Sequence, residues 1–478
     1  MKLTFNIVTV MVGMLLLTSC LKDTGNYEYD FGNEVTIRHP TYSYTTFLGD
    51  TLTVIATRVY SNPEDTTEFD HKWYINGELY SEEPTLKFVG KELGSNSGRY
   101  YMVDRRTGIH MNVPSGFTIN VTSPYQTGWG VLYEKGGKSE LAHIRVTSGQ
   151  YFDYVDVYKK ENNNEEMGSQ PVKIRDYPVQ GGRGMFVIQH GGQGSMEMNA
   201  YTMKKAILTS NSFIGSVPPD FRPVDMGFFA TADLIFNHNG DVYPRFFQNP
   251  IPFTVPWINV PMQISKGMKV TDFWDSWNGN MAYGFMHDKL NNRVLYVRLD
   301  APNVTGGVAV VDTMPTTVPA NPVYPDGWVN LNDMGDAEYI WGGTFLDGQY
   351  TAVGAMLLRD PVDGKVYYQS FNSKSVNRLL EWSPKSRFPF LGEEYLTPQS
   401  KFVALKSREY LFFTGGPGNN KLYYFDVRSG SSVKFYNEYP SAINVITASD
   451  NSNELAVGLE NGTVIIQDVS NTPMINGT

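Results

Sequence analysis

The stretch Asp272-Phe273-Trp274-Asp275-Ser276-Trp277-Asn278-Gly279-Asn280 sets two tryptophans three residues apart among carboxylates and amides. Flat rings beside hydrogen-bonding groups can hold a sugar ring or a peptide side chain, because an aromatic brings a large contact area at small entropic cost. Trp274, Trp277, Asp272 and Asp275 are therefore the candidate ligand-binding residues. The same rings would equally serve to seal packed sheets. Trp257, Trp328 and Trp341 stand in similar Pro-, Gly- and Asp-rich surroundings and carry the same two readings. Asp272, Asp275, Asp288, Asp333 and Asp336 are the acids that a hydrolytic site could recruit. Asp favours turns, where its side chain bonds nearby backbone, so turn and loop roles are expected for them.

Other chemistries lack their signatures. No Gly-x-Ser-x-Gly elbow is present, so the serine-hydrolase motif is missing. No His-Glu-x-x-His occurs, and the 7 histidines are scattered. A single cysteine, Cys20, rules out a thiolate zinc site and any intrachain disulfide. Gly136-Gly137-Lys138-Ser139 lacks the glycine that a phosphate loop needs five residues upstream, where Leu132 stands, so it reads as a hairpin turn. Gly181-Gly182-Arg183-Gly184 and Gly191-Gly192-Gln193-Gly194 lack the rest of a dinucleotide fingerprint and read as turns. No metal and no cofactor is expected. A formal charge of −10 with scattered Lys and Arg gives no footprint for nucleic acid.

The N-terminus carries its own chemistry. Lys2 is followed by the apolar run Leu3 to Leu17, too short for a comfortable membrane span and suited to a signal-peptide core. Leu17-Thr18-Ser19-Cys20 then resembles the lipobox of bacterial lipoproteins. That resemblance implies cleavage before Cys20 and acylation of its sulfur, which would anchor the chain without spanning the bilayer. Lys22-Asp23 just beyond it resembles a fragment of the surface-export signal of Bacteroidota lipoproteins, which implies outward display on the outer membrane.

The elements that must position these residues are strands. Aromatics make up 14% of the chain and Gly numbers 45, with short Val/Ile/Tyr/Phe runs between Gly, Asn and Asp turns. This is an all-β pattern. Residues 1–19 are read as signal peptide, 20–31 as a tether, and 32–122 as an immunoglobulin-like β-sandwich. The sandwich reading rests on Trp73 on a central strand, the Asn76-Gly77 hairpin turn, and Gly98-Arg99-Tyr100 entering a later strand. From 124 to 472 an apolar strand after a polar turn recurs. Its first apolar residues are 141, 196, 242, 294, 366, 422 and 464, in steps of 42 to 72 residues. Such a repeat predicts a β-propeller of about seven blades. The last repeat has three strands, so a strand just after the sandwich is expected to complete it and close the ring.

Lipobox, Gly25-Asn26-Tyr27-Glu28-Tyr29-Asp30, sandwich and propeller together resemble the PKD-like family lipoproteins of Bacteroidota. The resemblance implies a part beside SusC/SusD-type outer-membrane transporters in capturing or handing over nutrients, and the Trp274/Trp277 stretch makes an extracellular glycan or peptide the expected ligand. It carries over no catalytic residue. A non-enzymatic binding or accessory protein is the first expectation. A propeller glycosidase or lyase and a purely adhesive lipoprotein are the alternatives.

Overall fold

Alternation of apolar and polar side chains builds the first unit. Along Phe117–Thr122, Phe117, Ile119 and Val121 are buried while their neighbours are half-buried, the period expected of a strand with one face on a core. The computed structural model describes residues 33–470 apart from 65–67, 113–114, 148, 180–181, 230–231, 247–252, 276–282, 300–308 and 378. Cys20 and Trp277 lie outside the described residues, as do the signal segment and the tether. The chain forms two compact units that divide between Pro124 and Tyr125.

The first unit is a β-sandwich. Its main sheet runs in the order Ser43–Phe47, Phe117–Thr122, Gly94–Asp104, Phe69–Ile75, Glu78–Ser81, with His110–Asn112 beside Gly94–Asp104. Thr51–Val54 pairs with Leu86–Val89, and Val35–Arg38 with Thr57–Tyr60. Trp73 is fully buried, stacks on Tyr100 at 4.1 Å and donates its indole N–H to the Glu83 carbonyl at 2.9 Å. It is the core anchor that its place on a central strand implies. Asn76 and Gly77 both take positive φ, 51° and 89°, the backbone that a two-residue hairpin requires.

The second unit is a β-propeller, with seven antiparallel sheets in chain order among the described residues. The first strands of the sheets are Trp129–Lys135, Gly168–Val179, Pro223–Phe229, Val270–Asp275, Glu338–Leu346, Phe402–Leu405 and Ile443–Ala448. Each touches the next in series, so these strands face the axis. Apolar clusters fill the space between successive sheets. Leu234 and Phe236 meet Met286 and Leu295, for example, and Phe412 and Tyr424 meet Leu455 and Val457. The recurring apolar run in the sequence is the third strand of each sheet, such as Arg293–Leu299 and Lys421–Asp426. In the first sheet it falls on the second strand, Lys138–Thr147.

Ring closure differs from expectation. Trp129–Lys135 turns back through Gly136 and Gly137, at φ 60° and 75°, and pairs with Lys138–Thr147 in its own sheet. That tight hairpin commits the strand locally. The seventh sheet keeps three strands among the described residues, with Val464–Asp468 on its outer edge. First and last sheets meet through a polar contact, Trp129 donating its indole N–H to Glu454 at 3.2 Å, and Arg183 of the second sheet lies 3.9 Å from Asp450. The glycines 182 and 184 are not turn residues either. They lie on the strand Gly182–Gly192, where a side chain at Gly184 would strike the ring of Tyr177 at 2.5 Å.

Between the second and third sheets sits a buried knot of charge. Arg245, 5% exposed, donates to both oxygens of Glu197 at 2.7 and 2.9 Å and to Asp233 at 2.7 and 3.0 Å. Its guanidinium also lies 4.1 Å over the ring of Trp257, whose indole N–H bonds Glu197, as does the hydroxyl of Tyr177. Burial works against the charge of Arg245, but Glu197 and Asp233 hold it well above its ordinary range.

Candidate functional site

Five of the axis-facing strands carry a β-bulge near their start. The register shifts between Pro171 and Lys173, Pro223 and Asp225, Val270 and Asp272, Tyr339 and Trp341, and Ile443 and Val445. A bulge re-aims the side chains around it. On three successive strands the residue that follows the bulge is charged: Lys173, Asp225 and Asp272. Asp225 and Asp272 share one local geometry, each accepting the next residue's backbone N–H, at 2.8 and 2.9 Å.

Two linked groups result. Asp225 is gripped by Arg175 at 2.9 and 3.1 Å and by the ammonium of Lys173. Lys173 and Arg175 remain 40% and 41% exposed and Asp225 22%, so water reaches a cluster that protein surrounds. Burial pushes the Asp225 carboxyl up, but the charges of Arg175 and then Lys173 outweigh it and hold it below the usual carboxylate range. Burial pulls the Lys173 ammonium down. Beside them, Trp274 donates its indole N–H to the Tyr339 hydroxyl at 2.7 Å, and Tyr339 donates to Asp272 at 2.6 Å. The Tyr339 ring stacks between Trp274 and His287, 6.1 and 3.9 Å away. His287 bonds Thr271 at 2.7 Å and Asn292 at 3.2 Å. The Asn292 amide nitrogen donates to the Gly335 and Ala337 carbonyls, which leaves its oxygen to accept from His287 Nε2 and fixes the tautomer. Burial, with Asp225 adding to it, pushes the Asp272 carboxyl up, while burial and then Asp272 raise Tyr339.

The sequence candidates separate accordingly. Trp274 is 2% exposed, and a side chain at Gly342 would sit 2.1 Å from its ring. It offers no free stacking face, so its ligand-binding role is corrected to that of a seal between the fourth and fifth sheets. Trp257 and Trp341 are also buried, and Trp328 packs against the cluster around Trp274. Asp272 is no turn acid, because the bulge brings it into the axial cluster. Asp275 ends the strand Val270–Asp275, and Trp277 lies outside the described residues. Asp288 is fully buried, where it caps a turn through Leu290 N–H and pairs with Arg293 at 2.8 Å, so it is a turn acid without solvent. Asp333 bonds Gly335 N–H as a turn acid, and Asp336 is exposed. Lys173, Arg175, Asp225 and Tyr339 were not among the candidates. Their signal is the repeat of Val224-Asp225-Met226 as Thr271-Asp272-Phe273, an acid within an apolar strand one blade later. No group of three or more His, Cys, Asp or Glu that could hold a metal occurs among the described residues.

The opposite shifts make a pH prediction. Asp225 has a folded value below its unfolded value of about 3.9, so its contribution to stability is full above that pH and fades as the pH falls. Asp272 has a folded value above it. The native state then binds the extra proton, and stability declines as the pH rises through the window between the two values. Urea midpoints taken across the acid range are therefore expected to lose an upward slope in Asp225→Asn and a downward slope in Asp272→Asn. Parallel profiles for wild type and Asp272→Asn would remove the assignment.

The model of the PKD-like family matches residues 20–171, which takes in the sandwich and extends through the first sheet of the propeller. Among curated proteins none matches the chain. A solved quinonprotein alcohol dehydrogenase-like protein from Bacteroides thetaiotaomicron is 13% identical, with 90% of this chain and 92% of that one covered and a TM-score of 0.36. The WD40 β-propeller domain of Doa1 is 8% identical over 78% of this chain and 90% of its own, with a TM-score of 0.36. A computationally designed protein, Ika8, is 9% identical over 73% of this chain and 100% of its own, with a TM-score of 0.35.

Proposed function

We propose that this chain is a lipid-anchored outer-membrane protein, displayed at the cell surface, that serves as a non-enzymatic binding or accessory component of a SusC/SusD-type nutrient uptake system. Cys20 carries the reading. It is the only cysteine, it ends a Leu-Thr-Ser-Cys lipobox, and the family match begins at that residue. Among the described residues no helix is long and apolar enough to cross a membrane. The propeller then acts as the recognition platform, and the sandwich as spacer or docking module. Within the axial cluster, the internal pairing of Asp225 with two cations and of Asp272 with Tyr339 favours holding over turnover.

In cells that process lipoproteins, wild type is expected to incorporate an alkyne fatty acid and to fractionate with the outer membrane. Cys20→Ala should take up no label and leave the membrane or persist as precursor. Unlabelled wild type of full precursor mass would end the anchor reading. Crosslinking in intact cells should join the wild type to a transporter, and its absence from transporter complexes would end the uptake role.

One observation favours a second reading, a glycosidase or lyase on extracellular glycan. Asp225 and Asp272 stand on neighbouring strands with carboxyls displaced in opposite directions, as a base and an acid would be. Glycan turnover by wild type, lost in both Asp225→Asn and Asp272→Asn, would establish it.

A further inference from the structure

The outward face of the sandwich's main sheet carries a groove of about 540 Å³, lined by Lys72, Tyr74, Ser97, Arg99, Tyr101 and His110, with Gly77 at its end. It follows from strand alternation. Trp73, Ile75, Tyr100 and Met102 turn into the core, which forces Lys72, Tyr74, Arg99 and Tyr101 to the other side. The register places Lys72 opposite Tyr101 and Tyr74 opposite Arg99, so cations and phenol rings alternate like the squares of a board. The two tyrosines meet edge to face, 5.5 Å apart at 88°, which holds both rings in place.

Charge in the groove is uncompensated. No carboxylate lines it. Elsewhere in the same unit Arg105 is matched by Glu68 and Asp70, whereas Lys72 and Arg99 have no ion-pair partner among the described residues. A soluble face with two free cations around two fixed rings, in a chain whose formal charge is −10, is complementary to a ligand with an acidic group and a flat apolar flank. A pyranose that carries a carboxylate or a sulfate ester has both: its C–H face lies on a ring while the anion meets Arg99 or Lys72. An extended acidic peptide is disfavoured. Gly94–Asp104 is paired on both sides, by Phe69–Ile75 and by Phe117–Thr122 with His110–Asn112, so this central strand of the floor offers no free edge for main-chain pairing.

We propose that this groove is a binding site for acidic polysaccharide, separate from the propeller's axial cluster and independent of how the chain is anchored. The test is native affinity electrophoresis of the full chain through gels that contain polygalacturonate, chondroitin sulfate or neutral dextran. Polygalacturonate or chondroitin sulfate, or both, should retard the wild type, and dextran should not. Whichever polymer retards it names the anion. Lys72→Ala with Arg99→Ala should weaken retardation at least tenfold at an unchanged melting temperature, since both side chains reach solvent. Tyr74→Ala with Tyr101→Ala should do the same, and if that pair lowers the melting temperature the Lys72/Arg99 variant decides alone. Poly-glutamate that competes as well as polygalacturonate would overturn the proposal, because charge alone would then suffice. Retardation unchanged in the Lys72/Arg99 variant, or wild type retarded by no acidic polymer, would overturn it too.

Discussion

Replacing Arg245 with alanine is expected to destabilise the propeller by about 3–5 kcal/mol, the loss typical of breaking a buried ion pair from one side. The reason lies in what remains. Glu197 and Asp233, fully buried and 6% exposed, would face each other without their shared cation, and neither could reach water. Tyr177 and Trp257 would still donate to Glu197, but Asp233 would lose its guanidinium bonds. Burial already raises the Asp233 carboxyl while Arg245 pulls it down, so without the guanidinium it should hold a proton more readily. Replacing Arg245, Glu197 and Asp233 together with apolar residues of like volume should be far milder, because such swaps are often neutral. Urea unfolding of both variants checks this. A loss below about 1 kcal/mol in Arg245→Ala would mean that water reaches the knot and screens its charges.

Trp274→Ala should cost a comparable ~3–5 kcal/mol, the usual loss for a truncated buried aromatic. The ring rests on the bare backbone of Gly342 and on Tyr339, within an apolar cluster that includes Phe285. Its loss also removes the hydrogen bond that orients the Tyr339 hydroxyl toward Asp272. The carboxyl of Asp272 should then titrate differently, which the urea profiles above would register. Thermal melting combined with calorimetric titration of an extracellular ligand separates the two roles that the sequence left open. A sharply lowered melting point belongs to a seal. An intact fold with weakened binding would restore Trp274 as a contact residue.

Which features the sequence made legible follows from where each strand lies. In the second to sixth sheets the third strand is largely covered on both faces, so it reads as an apolar run; Arg293–Leu299 is buried at six of its seven positions. That is why the repeat could be counted. The axis-facing strands are half-exposed, mixed in composition and in five cases bulged, as in Val172-Lys173-Ile174-Arg175. The bulge shifts the side-chain alternation by one residue, so no simple period marks them, and Asp225 with its two cations passed unnoticed. Glu197 and Asp233 lie 48 and 12 residues before Arg245 along the chain, and spacing alone gives no hint that they converge. Trp274 illustrates the reverse error. An aromatic beside carboxylates has the composition of a binding surface, but only the third dimension tells that Tyr339 and Gly342 cover it.

The polar seam between the first and seventh sheets has a consequence for how the propeller comes apart. Apolar clusters couple sheet to sheet from the first through the seventh, but among the described residues none joins the seventh back to the first. A circle with one soft joint is energetically a line. Nearest-neighbour coupling then governs it as it does a linear repeat array, in which disorder enters at the free ends and travels inward. The outermost members of that line are the three-stranded first and seventh sheets, which hold the chain's entry to and exit from the propeller. The knot around Arg245 and the seal at Trp274 lie well inside it. Brief openings can thus begin at the joint while the middle of the row, where the axial charges are held, stays assembled.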